Sequence, residues 1–315
     1  MKIVSVFAPA SVANLGIGFD ALGAALDGPG DVVTARLSRE PGVRVVAVTG
    51  DGGRLPRDAA CNTAAVAARA VLDAFGGERR TGIDLTLAKG LPLSSGLGSS
   101  AASAAAGAYA AAILLGISEK TKLLRAVLLA EHAADGGWHG DNAFPSLLGG
   151  IRLVPSSDPD GPLEAISLPV PPRLRLVIVH PFLELQTRRA RRVLPRHVTL
   201  EEHIRHGAAF AGLVAALHSG DVAAAGRFAA SDRIVEPARS PLVRGYAAVR
   251  RAMGEAGALG VVLAGAGPSL VALAGSTASA ARIASAGEAA FRAAGVAAEA
   301  RVHRVDPLGA RRVRL

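Results

Sequence analysis

Apolar and polar residues alternate over residues 3–7, 31–38, 43–48 and 83–88, and each stretch reads as a strand with one buried face. Helical spacing of apolar positions takes over in 119–134, where Leu123, Leu124, Val127, Leu128 and Ala130 share a face. Further helices are expected at 62–74, capped by Asn62 and stopped at Gly76-Gly77, and at 101–115 from alanine-rich propensity. The second half predicts strands at 174–179, 259–264, 270–274 and 297–305, with helices at 200–218, 222–230, 241–256 and 278–294. A Ser/Asp/Pro/Gly stretch at 156–162 is the best linker candidate, and there is no internal repeat.

Two stretches have neither period. Residues 8–23 read as a loop that brings Asn14 and Asp20 near each other around Gly16 and Gly18, although an ordinary Asn/Asp turn has the same spacing. Residues 135–142 read as a glycine-rich loop carrying His139, Asp141 and Asn142, with a solvated loop as the plain alternative. Just before it, Glu131 stands near a helix C-terminus, where the dipole disfavours a carboxylate; a metal ion or an arginine would satisfy it.

The most informative stretch joins the strand at 83–88 to the helix at 101–115: Pro92, Leu93, Ser94, Ser95, Gly96, Leu97, Gly98, Ser99, Ser100, Ala101, Ala102. A glycine-serine turn opening a helix presents unpaired amides to an anion, and the serine hydroxyls add donors or a metal contact. It is not a Walker A loop, because no lysine lies between Lys89 and Lys120. Taken alone it is equally a serine-capped helix after a flexible turn.

Length and charge narrow the choice. The 315 residues suffice for two domains, and the net charge of +9, nearly all arginine, favours anionic partners. Scattered arginines and few aromatics argue against nucleic acid, so phosphorylated small molecules are expected. Cys61 is the only cysteine, which leaves no intrachain disulfide and no cysteine zinc cluster. The chain opens straight into an alternating segment without a signal-like apolar stretch, and Ser103 and Tyr109 interrupt 101–115, so no membrane span and a cytoplasmic location are expected.

The separate motifs together resemble the GHMP kinases, which hold ATP in a Gly/Ser loop, and within them the homoserine kinases. The resemblance rests on P-A-x-x-A-N-L-G-x-G-F-D at 9–20, P-L-x-S-G-L-G-S-S-A-A at 92–102 and G-x-G-P-S at 265–269. It is narrowed by A-R-x-x-L-P at 190–195 and E-P-x-R at 236–239. Ala264, and Arg244-Gly245-Tyr246, depart from what relatives often carry and bear on loop detail only. The resemblance implies an α+β GHMP kinase fold, with a ribosomal S5 domain 2-like ATP-binding domain at 1–155 and a ferredoxin-like C-terminal domain at 156–315, commonly in a homodimer. The activity implied is phosphorylation of L-homoserine by ATP with Mg²⁺, in threonine biosynthesis.

Carried onto this sequence, the resemblance implies that the 92–102 stretch cradles the triphosphate, with Asn62 near the adenine and Ser99 and Glu131 on Mg²⁺. Arg191 and Arg239 hold the amino acid's carboxylate with His139 assisting, and Asp20 takes the ammonium. Asn14 and Asn142 orient the hydroxyl, Thr187 sits by the γ-phosphate, and Asp141 fixes the loop or binds substrate. Other GHMP kinases carry an aspartate where Asn142 stands, so in-line transfer without a strong side-chain base is expected, with Asp141 as the alternative base.

Overall fold

A computed structural model describes residues 2–76 and 81–314. In chain order the elements are β1 (Ile3–Ala13), β2 (Leu22–Ser38), β3 (Gly42–Thr49), α1 (Thr63–Phe75), β4 (Gly82–Ala88), α2 (Ser99–Leu115), α3 (Leu124–Asp135), α4 (Gly140–Leu148), β5 (Ile151–Leu153) and β6 (Ile166–Leu168). There follow β7 (Arg175–Pro181), α5 (Thr187–Arg192), α6 (Leu200–Ser219), α7 (Val222–Ala229), α8 (Val235–Arg239), α9 (Tyr246–Glu255), β8 (Gly260–Leu263), β9 (Leu270–Ala274), α10 (Thr277–Ala293), β10 (Ala298–His303) and β11 (Arg311–Val313). Short 3₁₀ turns precede α3 and follow α8.

Two sheets organise the chain. The first runs β11-β1-β2-β4-β3, with β5 on β2 and β6 on β5; the second runs β10-β7-β9-β8 and is antiparallel throughout. The order β7, helices, β8, β9, α10, β10 in that arrangement is the ferredoxin-like βαββαβ pattern. The first sheet reaches past the expected boundary at 155, because β6 pairs with β5 and the C-terminal β11 returns to pair with β1. One core lies between the first sheet and α1–α4; another is shared by the inner faces of both sheets with α6 and α7, and it fixes the two halves across a cleft.

The strand expected to end at residue 7 continues to Ala13. Ala8, Ala10, Val12 and Ala13 are all buried, Ala8 toward the helices and Ala10 and Val12 toward the second sheet. A strand buried on both faces loses the alternation that sequence reading depends on. Pro9 sits where the pairing with β2 shifts register, a position that tolerates a missing amide. The loop expected at 135–142 already contains the first turn of α4, whose Gly140 and Pro145 obscure a nine-residue helix. The helix expected from 241 starts at Tyr246, after Gly245 in the left-handed region. The Gly77 part of the stop signal after α1 lies outside the described residues.

Helix α2 is buried nearly all round and lacks an amphipathic stripe, as an alanine-rich helix packed between α1, β1 and β2 should. No single described helix is long and apolar enough to cross a membrane.

Candidate active site

The cleft between the two sheets holds a cavity of about 620 Å³. Its floor is the turn before α2. Gly98 is the N-cap of α2 in a left-handed conformation, with no side chain to satisfy the first-turn amides. Those donors therefore face the cavity uncapped, where the helix dipole favours an anion. Gly96 (φ 79°) and Gly98 (φ 63°) are required by packing as well as by backbone angle. A Cβ on Gly96 would lie 2.4 Å from the Ala264 carbonyl oxygen, and one on Gly98 2.1 Å from Ser11 Oγ. The loop is thus wedged between the first motif and the 265–269 turn. Ser269 Oγ adds a strut by donating to the Ser95 carbonyl (2.6 Å), and His180 Nδ1 lies 2.9 Å from the same hydroxyl.

Leu93, Ser94, Ser95, Gly96, Gly98, Ser99 and Ser100 line the cavity, as does Asn62. Four members of the expected stretch do not. Pro92 is exposed, Leu97 and Ala102 belong to the core between the sheets, and Ala101, in the first turn of α2, points into the core between the first sheet and α1–α4. The amides of Leu97 and Ala102 are also spent internally, on Ser95 Oγ and the Gly98 carbonyl. Asn62 is held as the N-cap of α1, and its amide group donates to the Pro56 carbonyl (3.0 Å).

The cavity is also lined by Asn14, Asp20, His139, Asp141, Asn142, Thr187, Arg191 and Arg239, brought together from four separate stretches of the chain. Asn14 (φ 70°), Leu15 (φ 43°) and Asp20 (φ 56°) adopt left-handed backbone, a strained turn that aims Asp20 inward. Asn14 maintains that turn: its Oδ1 accepts from the Asp20 amide (3.1 Å) and its Nδ2 donates to the Gly265 carbonyl (2.9 Å). Asp20 and Arg191, expected to take opposite ends of a zwitterion, here bind each other through two hydrogen bonds of 2.7 and 3.0 Å. Arg239 is almost fully buried and donates to the Ala190 and Gly265 carbonyls (3.2 and 3.1 Å). The Phe19 ring packs against both guanidinium groups, 5.6 Å from that of Arg191 and 4.9 Å from that of Arg239. Both pairs are cation–π contacts that hold two like charges side by side.

Electrostatics set apart two carboxylates. Burial, with nearby Asp135 and Asp141, raises the Glu131 pKa to about 7 against the opposing pull of His139 and Ser100. Among the described residues no arginine pairs with Glu131, and the positive groups that act on it through space are His139 and Lys89. Glu131 Oε1 and the Ser99 hydroxyl are both buried without a hydrogen-bond partner while their residues line the cavity, a pair of hard oxygens suited to Mg²⁺. Asp141, in the first turn of α4, is raised to about 6, by burial first and Asp20 second, with His139 and Arg191 opposing. Asp20, His139 and Asp141 bring ligand atoms within 4.8 Å of one another, and the cation bonded to two of these three side chains is the Arg191 guanidinium. Asn142 Oδ1 accepts from Ser11 Oγ (3.0 Å), so its amide nitrogen is the end left for a ligand.

The comparisons decide the family. Residues 62–150 match the model of the GHMP kinases N terminal domain and residues 213–293 that of the GHMP kinases C terminal. A homoserine kinase of Chloroherpeton thalassium is 42% identical over 86% of this chain and 87% of its own. One from Xanthomonas campestris is 39% identical over 99% of this chain and 94% of its own. The crystal structure of homoserine kinase from Cytophaga hutchinsonii superposes with a TM-score of 0.94 at 43% identity, covering 99% of this chain and 98% of that one.

The chain belongs to the homoserine kinase family of GHMP kinases.

Several cavity residues of this homoserine kinase family member escape sequence reasoning. Lys89 follows β4 as a lone lysine, but its ammonium is buried, paired with Asp31, and donates to Ser103 Oγ (3.0 Å) and the Ser99 carbonyl (2.9 Å). The polar alternation 84, 86 that marks β4 gives no hint of an ion pair with a residue 58 positions away. Phe19, which packs beside Arg191 and Arg239 behind the cavity lining, is legible only as part of the G-F-D motif. Arg54 and Glu184 close a two-bond ion pair (2.6 and 3.0 Å), with Arg54 on the cavity wall.

Proposed function

We propose that the protein is an ATP-dependent kinase that phosphorylates the side-chain hydroxyl of L-homoserine. The carrying observation is the juxtaposition of an uncapped helix N-terminus with the Arg191 and Arg239 guanidinium groups and the Asp20 carboxylate, groups whose signs complement a zwitterion. Binding then exchanges partners: the substrate carboxylate takes over Arg191 from Asp20, and the substrate ammonium takes over Asp20. That exchange neutralises each charge as it is uncovered, and it rejects hydroxylated acids that lack the ammonium, because Asp20 would be left without a partner.

In this reading the amides of the turn and of the first turn of α2 cradle the triphosphate, with Asn62 toward the base. Ser99 and Glu131 would hold Mg²⁺, which supplies charge neutralisation on the phosphates when bound. The Asn142 amide nitrogen and Thr187, in the first turn of α5, align the hydroxyl and the γ-phosphate. Phosphoryl transfer has a loose transition state and depends mainly on positioning and charge, so an amide at 142 is compatible with turnover. Asp141 serves chiefly to polarise this end of the site. A homodimer and a cytoplasmic location belong to the same reading, the first open to sedimentation analysis.

The test is coupled detection of ADP with L-homoserine, L-serine, shikimate, pantoate and mevalonate as acceptors. Turnover with L-homoserine alone is expected. Comparable turnover with mevalonate or shikimate would refute the zwitterion argument.

A further inference from the structure

Asp135 has no part in the roles described so far, yet it stands where a carboxylate is disfavoured, at the last residue of α3, against the helix dipole. Its oxygens lie 3.2 Å from His139 Nε2, and one of them also accepts from the Gly137 amide (2.9 Å). On the other side of the ring, Arg191 lies 3.0 Å from His139 Nδ1. A guanidinium can only donate, so Nδ1 must offer a lone pair; the ring proton is then on Nε2, where only an acceptor such as Asp135 suits it. Both ring nitrogens are accounted for by one tautomer. The ring is nearly buried and presses on Gly137, where a Cβ would fall 2.3 Å from Nε2, so it has little freedom to turn.

We propose that Asp135 is a positioning residue for the amino-acid site, holding His139 in its Nε2–H tautomer so that the Nδ1 lone pair fixes the Arg191 guanidinium toward the substrate carboxylate. The proposal rests on the assignment of Arg191 to that carboxylate. It also gives His139 a different task from the one expected: the imidazole orients the arginine and does not itself donate to the ligand. A proton added at Nδ1 would set two donors against each other and displace Arg191. The groups facing the ring are Asp135 and Glu131 on α3, Asp141 on α4, Asp20 after β1 and Arg191 on α5. Burial lowers the imidazole's pKa, but Asp135 first, then Asp141 and Glu131, outweigh it and leave it raised. Acid therefore weakens homoserine binding as His139 gains its proton.

The experiment is steady-state kinetics of Asp135→Asn in the full chain, with both substrates varied and pH scanned. The KM for L-homoserine should rise about fivefold, because the asparagine oxygen still accepts from Nε2–H but without the charge that strengthened the bond, with kcat and the KM for ATP within about twofold. The acidic rise in that KM should move to lower pH, because a carboxylate that favoured the imidazolium is gone. Asp135→Ser, which keeps a hydroxyl for the Gly137 amide, should do the same if Asp135→Asn folds poorly. In a His139→Gln background either change should add nothing further. An unchanged KM for L-homoserine, equal losses for both substrates, or an unmoved pH limb would overturn the proposal. Arg191→Met separates the levels: if it too leaves that KM unchanged the site assignment fails, whereas a raised KM there with none in the Asp135 variants overturns the Asp135 role alone.

Discussion

Replacing Asp141 with asparagine should make the protein more stable and less active. The carboxyl is almost fully buried, one oxygen has no partner, and its pKa is moved from 3.8 to about 6. A carboxyl raised to that extent binds its proton more tightly folded than unfolded, so the ionised form costs the native state at pH above 6. At ~1.4 kcal/mol per tenfold change in proton affinity, the cost at neutral pH is about 3 kcal/mol, and it disappears as pH falls below 4. Asparagine keeps the shape and carries no charge. Thermal denaturation at pH 8 should therefore place Asp141→Asn above the parent protein by about 4 °C, with the gap closing between pH 6 and pH 4. Activity moves the other way. If Asp141 only polarises the site, kcat should fall about tenfold, whereas loss of a general base costs roughly 10²–10⁴. A variant less stable than the parent at pH 8 would refute the electrostatic argument, and a kcat loss beyond a hundredfold would make Asp141 the base.

Other outcomes follow from the same geometry. Ser99→Ala and Glu131→Gln should each raise the Mg²⁺ concentration needed for half-maximal rate by ~10-fold or more while nucleotide binding without metal, measured by calorimetry, changes little; unchanged metal dependence in both would remove them from the metal site. Lys89→Met should destabilise the fold by about 3–5 kcal/mol in urea denaturation, because Asp31 is left charged and buried, and Lys89→Met with Asp31→Asn should recover most of that loss. Equal stability of the single and double variants would show that the pair is not coupled.

How far the sequence carries depends on whether a feature is local. The glycine-serine turn, the second-sheet strands and the helix spacings are written in neighbouring residues, and they appear within a few positions of where periodicity puts them. β1 beyond Phe7 was illegible because burial on two faces erases alternation, and α4 because Pro145 and Gly140 read as loop. The cavity residues divide the same way. Ser99, Arg191 and Arg239 are reachable through motifs, and Glu131 and Asn142 through a helix end and a glycine-rich stretch, and the fold does bring all five to one cleft. Their partners within the protein are not legible. Asp20 to Arg191 spans 171 positions, Lys89 to Asp31 spans 58, and Arg191 to His139 spans 52. No spacing rule connects such pairs, since tertiary packing alone chooses them. The consequence is chemical: a motif names groups, but only the folded chain shows which of its other groups they bind. Here Arg191 is shared between Asp20 and His139, so under the proposed site assignment the affinity for L-homoserine is set by the difference between those partners and the substrate carboxylate. Strengthening the Asp20–Arg191 pair, for instance by excluding water around it, should therefore weaken substrate binding even though the proposed function assigns both residues to the substrate.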